Sequence, residues 1–490
     1  MIAVEHSCPR GSTGEQNQKS GMRRSWISTI CKLLFCFISV PCLVAVGGCS
    51  SSLPHVEDAV LEASEANTFP EIIGPQGPFP YREGKEVIKR LEQKAWWSDI
   101  LQRQIAMAEL IGGLPLTDGN KVTLLDDQAV YGAMLEAIKN ARDTINLETY
   151  AFEDDEVGRE FASLLLKKQA EGVQVNLIYD SAGCFDTPDS FFRQLSDGGV
   201  NTLEFNPLDP FKEPGSEWEP TERDHRKILV VDGSIAITGS ANIGSHDFES
   251  LYGGYAEGMK QKLWREIDVR IEGPAVAEFQ RLFLNTWARQ KGPELSGRSY
   301  FPSLKKAGDH LVRVVGSTPG KRNRDTYLMY AGAITFAENS VHITAAYFVP
   351  DKEVVKALTE AVARGVDVKL ILPSSSDHSL VLSAGRSYYT QLLKSGVKVF
   401  ERRKRLLHAK TAVIDGVWST VGSTNMDLWS FLRDNEVNAV ILGRGFGGQM
   451  EEMFARDLEK SHPITLEQWE KRPLTDHIAE WFGRMFGYWF

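Results

Sequence analysis

Two stretches decide how this 490-residue chain reads: HRKILVVDGSIAITGSAN at 225–242 and HAKTAVIDGVWSTVGSTN at 408–425. Both satisfy H-x-K-x4-D-x6-G-S-x-N. One copy supplies His225, Lys227, Asp232, Ser240 and Asn242; the other supplies His408, Lys410, Asp415, Ser423 and Asn425. A pattern this long does not recur by chance in a chain of ordinary composition. In each copy the period of two puts His and Lys on one face of a strand. Asp-Gly marks a hairpin turn, and a returning strand (234–238, 417–421) brings Gly-Ser-x-Asn back beside them. Two imidazoles, two ammonium groups, two hydroxyls and two carboxamides are the groups needed to hold a phosphate and exchange one of its esters.

The duplication extends beyond the motif. The apolar run INLETYAF (145–152) precedes the first copy and VHITAAYFV (341–349) precedes the second. Tyr150 and Tyr347 stand 197 residues apart, as do Val157 and Val354, whereas the strands GVQVNLIYD (172–180) and GVDVKLILP (365–373) are offset by 193. The first intervening helix is therefore expected to be about one turn longer. Short β-branched strands alternating with helical periodicity specify an α/β fold with a mostly parallel or mixed sheet. A repeat of this size makes two pseudo-symmetric halves with one site at their interface.

Aligning Gly273 with Gly443 sets Glu266 opposite Glu436, each at the start of a strand (EIDVRI and EVNAVI). A carboxylate on one imidazole nitrogen fixes the tautomer and frees the other. Glu266 and Glu436 are thus the expected histidine-orienting groups, with Asp268 a close alternative in the first half.

These features identify the resemblance. Over residues 113–465 the chain resembles the phospholipase D superfamily. GNKVTLL (119–125), LETY (147–150), WRE (264–266), IEGPAV (271–276) and YFVPD (347–351) look like its bacterial cardiolipin synthase branch. Where that branch often has Asp, Glu266 keeps the carboxylate on a longer arm.

The resemblance implies two phospholipase D-like halves and a phosphatidyltransferase forming cardiolipin from phosphatidylglycerol, working as a monomer. Hydrolysis to phosphatidic acid is the alternative, and a secreted nuclease a more distant one. Two histidines and one phosphate suit attack by one imidazole and protonation of the leaving alcohol by the other. The family assigns these roles to His225 and His408 respectively. Lys227, Lys410, Asn242 and Asn425 would hold the phosphoryl oxygens, with Ser240 and Ser423 close by. Asp232 and Asp415 complete the catalytic motif, although turn positions beyond the cleft suit stabilising the interface between the halves.

The organisation expected is a signal segment with a lipoprotein box (1–49), a tether and N-terminal helical region (50–112), the two halves (113–297 and 298–465) and an amphipathic C-terminal tail (466–490). Met22-Arg-Arg24, the apolar stretch 27–46 and Val46-Gly-Gly-Cys49 read as a secretory signal ending at a lipidated Cys49, with an uncleaved membrane anchor the alternative. That would hold the protein on a membrane, outside the cytoplasm on the periplasmic side. Five of the six cysteines lie at or before Cys49, so Cys184 has no internal disulfide partner. A net charge of −10 argues against nucleic acid as a partner and leaves a phospholipid as the expected substrate. No zinc-spaced Cys/His cluster, calcium loop or Gly-rich nucleotide motif is present, so neither metal nor cofactor is expected.

Overall fold

The hairpin encoded by each motif is the centre of a sheet. In the computed structural model, which describes residues 71–93, 115–209, 220–244, 264–319 and 324–486, the two halves repeat one element order, with one helix of the first half replaced by two in the second. The first contains β1 (Leu116–Asp126), α1 (Gln128–Asn140), β2 (Thr144–Thr149), α2 (Glu156–Ala170), β3 (Gln174–Asp180), α3 (Asp189–Asp197), β4 (Asn201–Phe205), the motif hairpin β5 (Ile228–Val231) and β6 (Ile235–Gly239), β7 (Ile267–Glu272) and α4 (Val276–Arg289). The second contains β8 (His310–Ser317), α5 (Asp325–Thr335), β9 (Ser340–Thr344), α6 (Lys352–Ala363), β10 (Asp367–Pro373), α7 (Ser379–Arg386), α8 (Tyr389–Ser395), β11 (Lys398–Arg402), the hairpin β12 (Thr411–Ile414) and β13 (Trp418–Gly422), β14 (Asp434–Leu442) and α9 (Arg444–Glu459). Helix α2 has 15 residues and α6 has 12, close to the one-turn difference the offsets require.

Strand order in the first half is β4-β3-β2-β5-β6-β7-β1; β2, β3 and β4 pair in parallel and the rest antiparallel. The second half has the same order, β11-β10-β9-β12-β13-β14-β8, and the same mixture. An antiparallel pairing of β1 with β8 links the two sheets, with Thr117 opposite Val312. Apolar side chains of both sheets form one buried cluster that includes Val230, Val269 and Ile271 with Val314, Val421 and Val437. Separating the halves would expose these six alone at about 1.5 kcal/mol or more each, on the order of 10 kcal/mol. That approaches the whole stability of an ordinary domain, so the halves are one cooperative unit.

The turn aspartates sit at the turns where the sequence placed them, but they do not hold the interface between the halves. Asp232 and Asp415 adopt left-handed φ values of 51° and 53°, each followed by a positive-φ glycine. The Asp232 carboxylate accepts from the backbone N–H groups of Arg142, Asp143 and Thr144 at 2.7–3.1 Å. Asp415 accepts from Glu338, Asn339 and Ser340 at 2.7–3.1 Å. Each therefore fixes the loop entering the central strand of its own half. Both carboxylates are taken up by backbone of their own half, and neither bridges the halves.

A helix at Tyr81–Gln93 precedes the first half, and β15 (Ser461–Ile464), α10 (Leu466–Glu470) and α11 (Leu474–Phe486) follow the second. The apolar stretch 27–46, Cys49, Trp96 and Trp97 lie outside the described residues. Among the described residues no helix is long and apolar enough to cross a membrane. Cys184 is buried and unpaired by any disulfide.

Asp232→Ala and Asp415→Ala should each destabilise the protein by about 2–3 kcal/mol, the scale of a lost set of charge-assisted hydrogen bonds. Urea denaturation measures the loss, and turnover of the remaining folded protein should be unchanged.

Candidate active site

The site lies where the two motif hairpins face each other. Lys227 immediately precedes β5, and Thr238 of β6, which stands opposite Ile228, donates its hydroxyl to the Lys227 carbonyl at 2.7 Å. In the second half the Gly422 N–H donates to the Lys410 carbonyl at 3.3 Å. The motif glycines are needed for close approach. A Cβ on Gly239 would stand 2.4 Å from the backbone of Asp268, and one on Gly422 would stand 2.3 Å from the Val437 carbonyl.

The histidine partners are crossed between the halves. His225 Nδ1 bonds Glu436 Oε1 at 2.9 Å, and His408 Nδ1 bonds Glu266 at 2.9 and 3.1 Å. The backbone repeats the exchange: His225 N–H donates to the Asn435 carbonyl at 2.9 Å and His408 N–H to the Arg265 carbonyl at 3.1 Å. An ionised carboxylate only accepts, so each imidazole donates from Nδ1 and keeps its Nε2 lone pair. The expectation that each glutamate orients a histidine is met in kind, but the partner is always in the other half. Asp268 is not the alternative. Its carboxylate accepts from the backbone N–H of Ser240 and Ala241 at 3.0 and 3.1 Å, and burial beside Glu266 raises it to about 7.

The serines also take a different part from that expected. The Ser240 hydroxyl accepts from Ile267 N–H at 2.9 Å, and the Ser423 hydroxyl accepts from Val437 N–H at 3.0 Å while donating to Glu436. Both hydroxyls hold strand backbone, of β7 and β14 respectively, and Ser423 also orients the Glu436 carboxylate. The carboxamides differ. Oδ1 of Asn242 and Oδ1 of Asn425 are buried without a hydrogen-bond partner. A buried polar atom without a partner costs about 1–3 kcal/mol; an Oδ1, which only accepts, is satisfied by a donor such as a substrate hydroxyl, whereas the Nδ2 amide is the atom able to donate to a phosphate oxygen.

Each lysine donates to the carbonyl of its own histidine at 2.7 Å. Burial, reinforced by Lys410, pushes Lys227 down to about 7; burial pushes Lys410 to about 8 against the pull of Glu266 and Glu436. His225 falls to about 4 and His408 to about 3, in both cases through burial opposed by the glutamate, with the two ammonium groups adding to the fall. Burial is thus the chief cause by which all four groups are pushed away from their charged forms.

Other side chains complete the site. Tyr150 packs edge-on to His225 at 5.1 Å between centroids, with Lys227 Nζ 5.2 Å from its ring centre. Trp264 packs against His408 at 4.4 Å. Tyr347 donates to Asp377 at 2.6 Å, and its ring faces His378 at 5.8 Å. Arg226 is fully buried and reaches across to the carbonyls of Glu436 and Ser317 at 3.1 and 2.5 Å; Arg265 pairs with Asp457 at 3.0 Å. The 197-residue offset of Tyr150 and Tyr347 is a sequence signal for those two. Arg226 and Arg265 have none, because the second half carries Ala409 and Asn435 at the matching positions.

A family model described as cardiolipin synthase, phospholipase D-like domain, matches residues 134–287 and 330–458. The chain belongs to this phospholipase D-like family. A cardiolipin synthase of Alkalihalophilus pseudofirmus is 32% identical over 77% of this chain and 74% of its own length. Cardiolipin synthase A of Pseudomonas syringae pv. syringae is 33% identical over 79% of this chain and 80% of its own. Among solved structures, phosphatidylserine synthase of Haemophilus influenzae superposes with a TM-score of 0.55 at 13% identity, covering 78% of this chain and 97% of that one. That likeness concerns the fold. The duplicated motif, the crossed carboxylates and the family membership make the protein a phospholipase D-type enzyme.

Because the ammonium forms of Lys227 and Lys410 must bind the anion, affinity is full below their pKa values and lost as pH rises through about 7 and 8. Inhibition by sulfate, dianionic throughout, should weaken by roughly tenfold or more between pH 6 and pH 9. Lys227→Gln should remove the lower of the two steps.

Proposed function

We propose that the protein is a cardiolipin synthase that transfers the phosphatidyl group of one phosphatidylglycerol to a hydroxyl of another. The observation that carries this reading is the single site with two carboxylate-bound imidazoles, in a chain about one-third identical to cardiolipin synthases over most of its length. A phosphodiester is anionic and its alkoxide leaves poorly, so substitution needs a nucleophile, an acid and charge neutralisation.

Neutral His225 attacks phosphorus through Nε2 and glycerol departs with a proton from His408. The bound phosphate supplies the negative charge that lets His408 carry that proton. His408, neutral again, takes the proton from the hydroxyl of the second phosphatidylglycerol. That oxygen then displaces His225 from phosphorus, and cardiolipin forms. Lys227, Lys410, Asn242 and Asn425 hold the non-bridging oxygens. One chain provides every group, so a monomer suffices.

Purified protein given labelled phosphatidylglycerol should release glycerol and cardiolipin in equal amounts; phosphatidic acid as the main product would replace transfer by hydrolysis. His225→Ala and His408→Ala should each lower turnover by roughly 10^3-fold or more at normal thermal stability. Denaturing the protein during turnover should trap labelled phosphate on wild-type protein and none on His225→Ala.

For the N-terminus we propose lipidation at Cys49, which would hold the catalytic unit on a membrane outside the cytoplasm. The support is Val46-Gly-Gly-Cys49 after a basic and an apolar stretch, since several acyl chains at about 0.8 kcal/mol per buried methylene give durable attachment. Mass spectrometry should find a mature chain starting at modified Cys49. Cys49→Ala should accumulate the uncleaved precursor with an intact active site.

A further inference from the structure

Helix α11 is packed inside out. Leu474, Ile478, Trp481, Phe482 and Met485 are the large apolar side chains among its described residues, and all five are exposed, from 46% for Phe482 to 74% for Leu474. Their spacing gathers them within about 100° of arc on one face. The opposite face meets the protein with polar and small residues. Glu480 is buried and paired with Arg472, whose guanidinium covers the buried Trp469 ring. Gly483 approaches α7 so closely that a Cβ there would lie 2.5 Å from the Ala384 backbone nitrogen. Arg484 reaches the Tyr388 ring at 5.5 Å. A helix docked only for the stability of a soluble domain would bury the other face.

Its support leads back to the site. Helix α7 starts just after Asp377 and His378, which face Tyr347 beside the catalytic cleft, and exposes Leu380 in its first turn. The four residues that follow α11 in sequence, Gly487 to Phe490, add three aromatic side chains.

We propose that the outer face of α11 is the surface through which the protein engages a phospholipid bilayer, inserting into the headgroup region beside the site. This rests on the reading that the substrate is a membrane phospholipid. Aromatic and aliphatic residues along one face of a short helix suit a bilayer interface. A second copy of the chain is a poorer occupant. A 13-residue helix is about 20 Å long and covers roughly 200 Å², against about 800 Å² per partner in a stable protein interface.

The test uses the full chain reconstituted in phosphatidylcholine vesicles containing phosphatidylglycerol. Brominated phosphatidylcholine should quench more tryptophan emission in wild-type protein than in Trp481→Phe. Trp481→Ser/Phe482→Ser should lose at least fivefold in rate on vesicle phosphatidylglycerol yet stay within twofold of wild type on monomeric dihexanoyl-phosphatidylglycerol. Equal quenching of the two proteins, as when another segment of the chain covers the face, would overturn the proposal. So would an equal loss on both substrates. A detergent-solubilised dimer that the double substitution converts to monomer would assign the face to a second copy and overturn it too. Wild-type protein that turns over neither substrate would refute the synthase reading, and quenching would still decide the helix.

Discussion

The hydrogen bond between each imidazole and a carboxylate from the other half is the constraint on which the rest depends. Glu436 is fully buried and Glu266 nearly so. Removing such a carboxylate from its partner leaves an uncompensated charge in a low-dielectric interior, at a cost of several kcal/mol. The halves therefore cannot separate without disabling both histidines at once. Arg226 and Arg265 add buried cross-links at the same seam, and the shared apolar cluster beneath them makes the seam rigid.

The same burial sets the electrostatics. Two ammonium groups and two imidazoles crowd a desolvated space where two glutamates are the nearest negative charges. The result is lysines held near neutrality and imidazoles pushed far below their usual range. A phosphodiester is the missing counter-charge. Its arrival would stabilise the ammonium forms and raise the imidazole that must act as an acid, so substrate binding itself would prepare the proton transfer.

Pseudo-symmetry does not make the two imidazoles equivalent. His408 lies against the indole of Trp264, whereas the position matching Trp264 is Asp434, whose carboxyl is raised by desolvation. His225 instead meets the phenol ring of Tyr150. Different neighbours on identical motifs are what division into nucleophile and acid requires, since equivalent groups would share a protonation state.

Much of this was legible in the chain. The period of two paired His225 with Lys227 and His408 with Lys410, although the structure sets all four just ahead of β5 and β12 and not within the strands. The Asp-Gly pairs announced turns because few other dipeptides tolerate positive φ. The internal offsets revealed two halves and even the longer helix α2. Tertiary structure decided which glutamate serves which histidine. Sequence alignment pairs residues of equal rank, whereas hydrogen bonds pair residues that meet in space, and a pseudo-twofold axis exchanges them. It also turned Asp232 and Asp415 toward backbone of their own halves and Ser240 and Ser423 toward strand backbones, since a motif fixes residue types but not the direction of their hydrogen bonds. The outward apolar face of α11 was decided in the same way: amphipathic spacing defines a stripe, and only packing against α7 determines which side faces solvent.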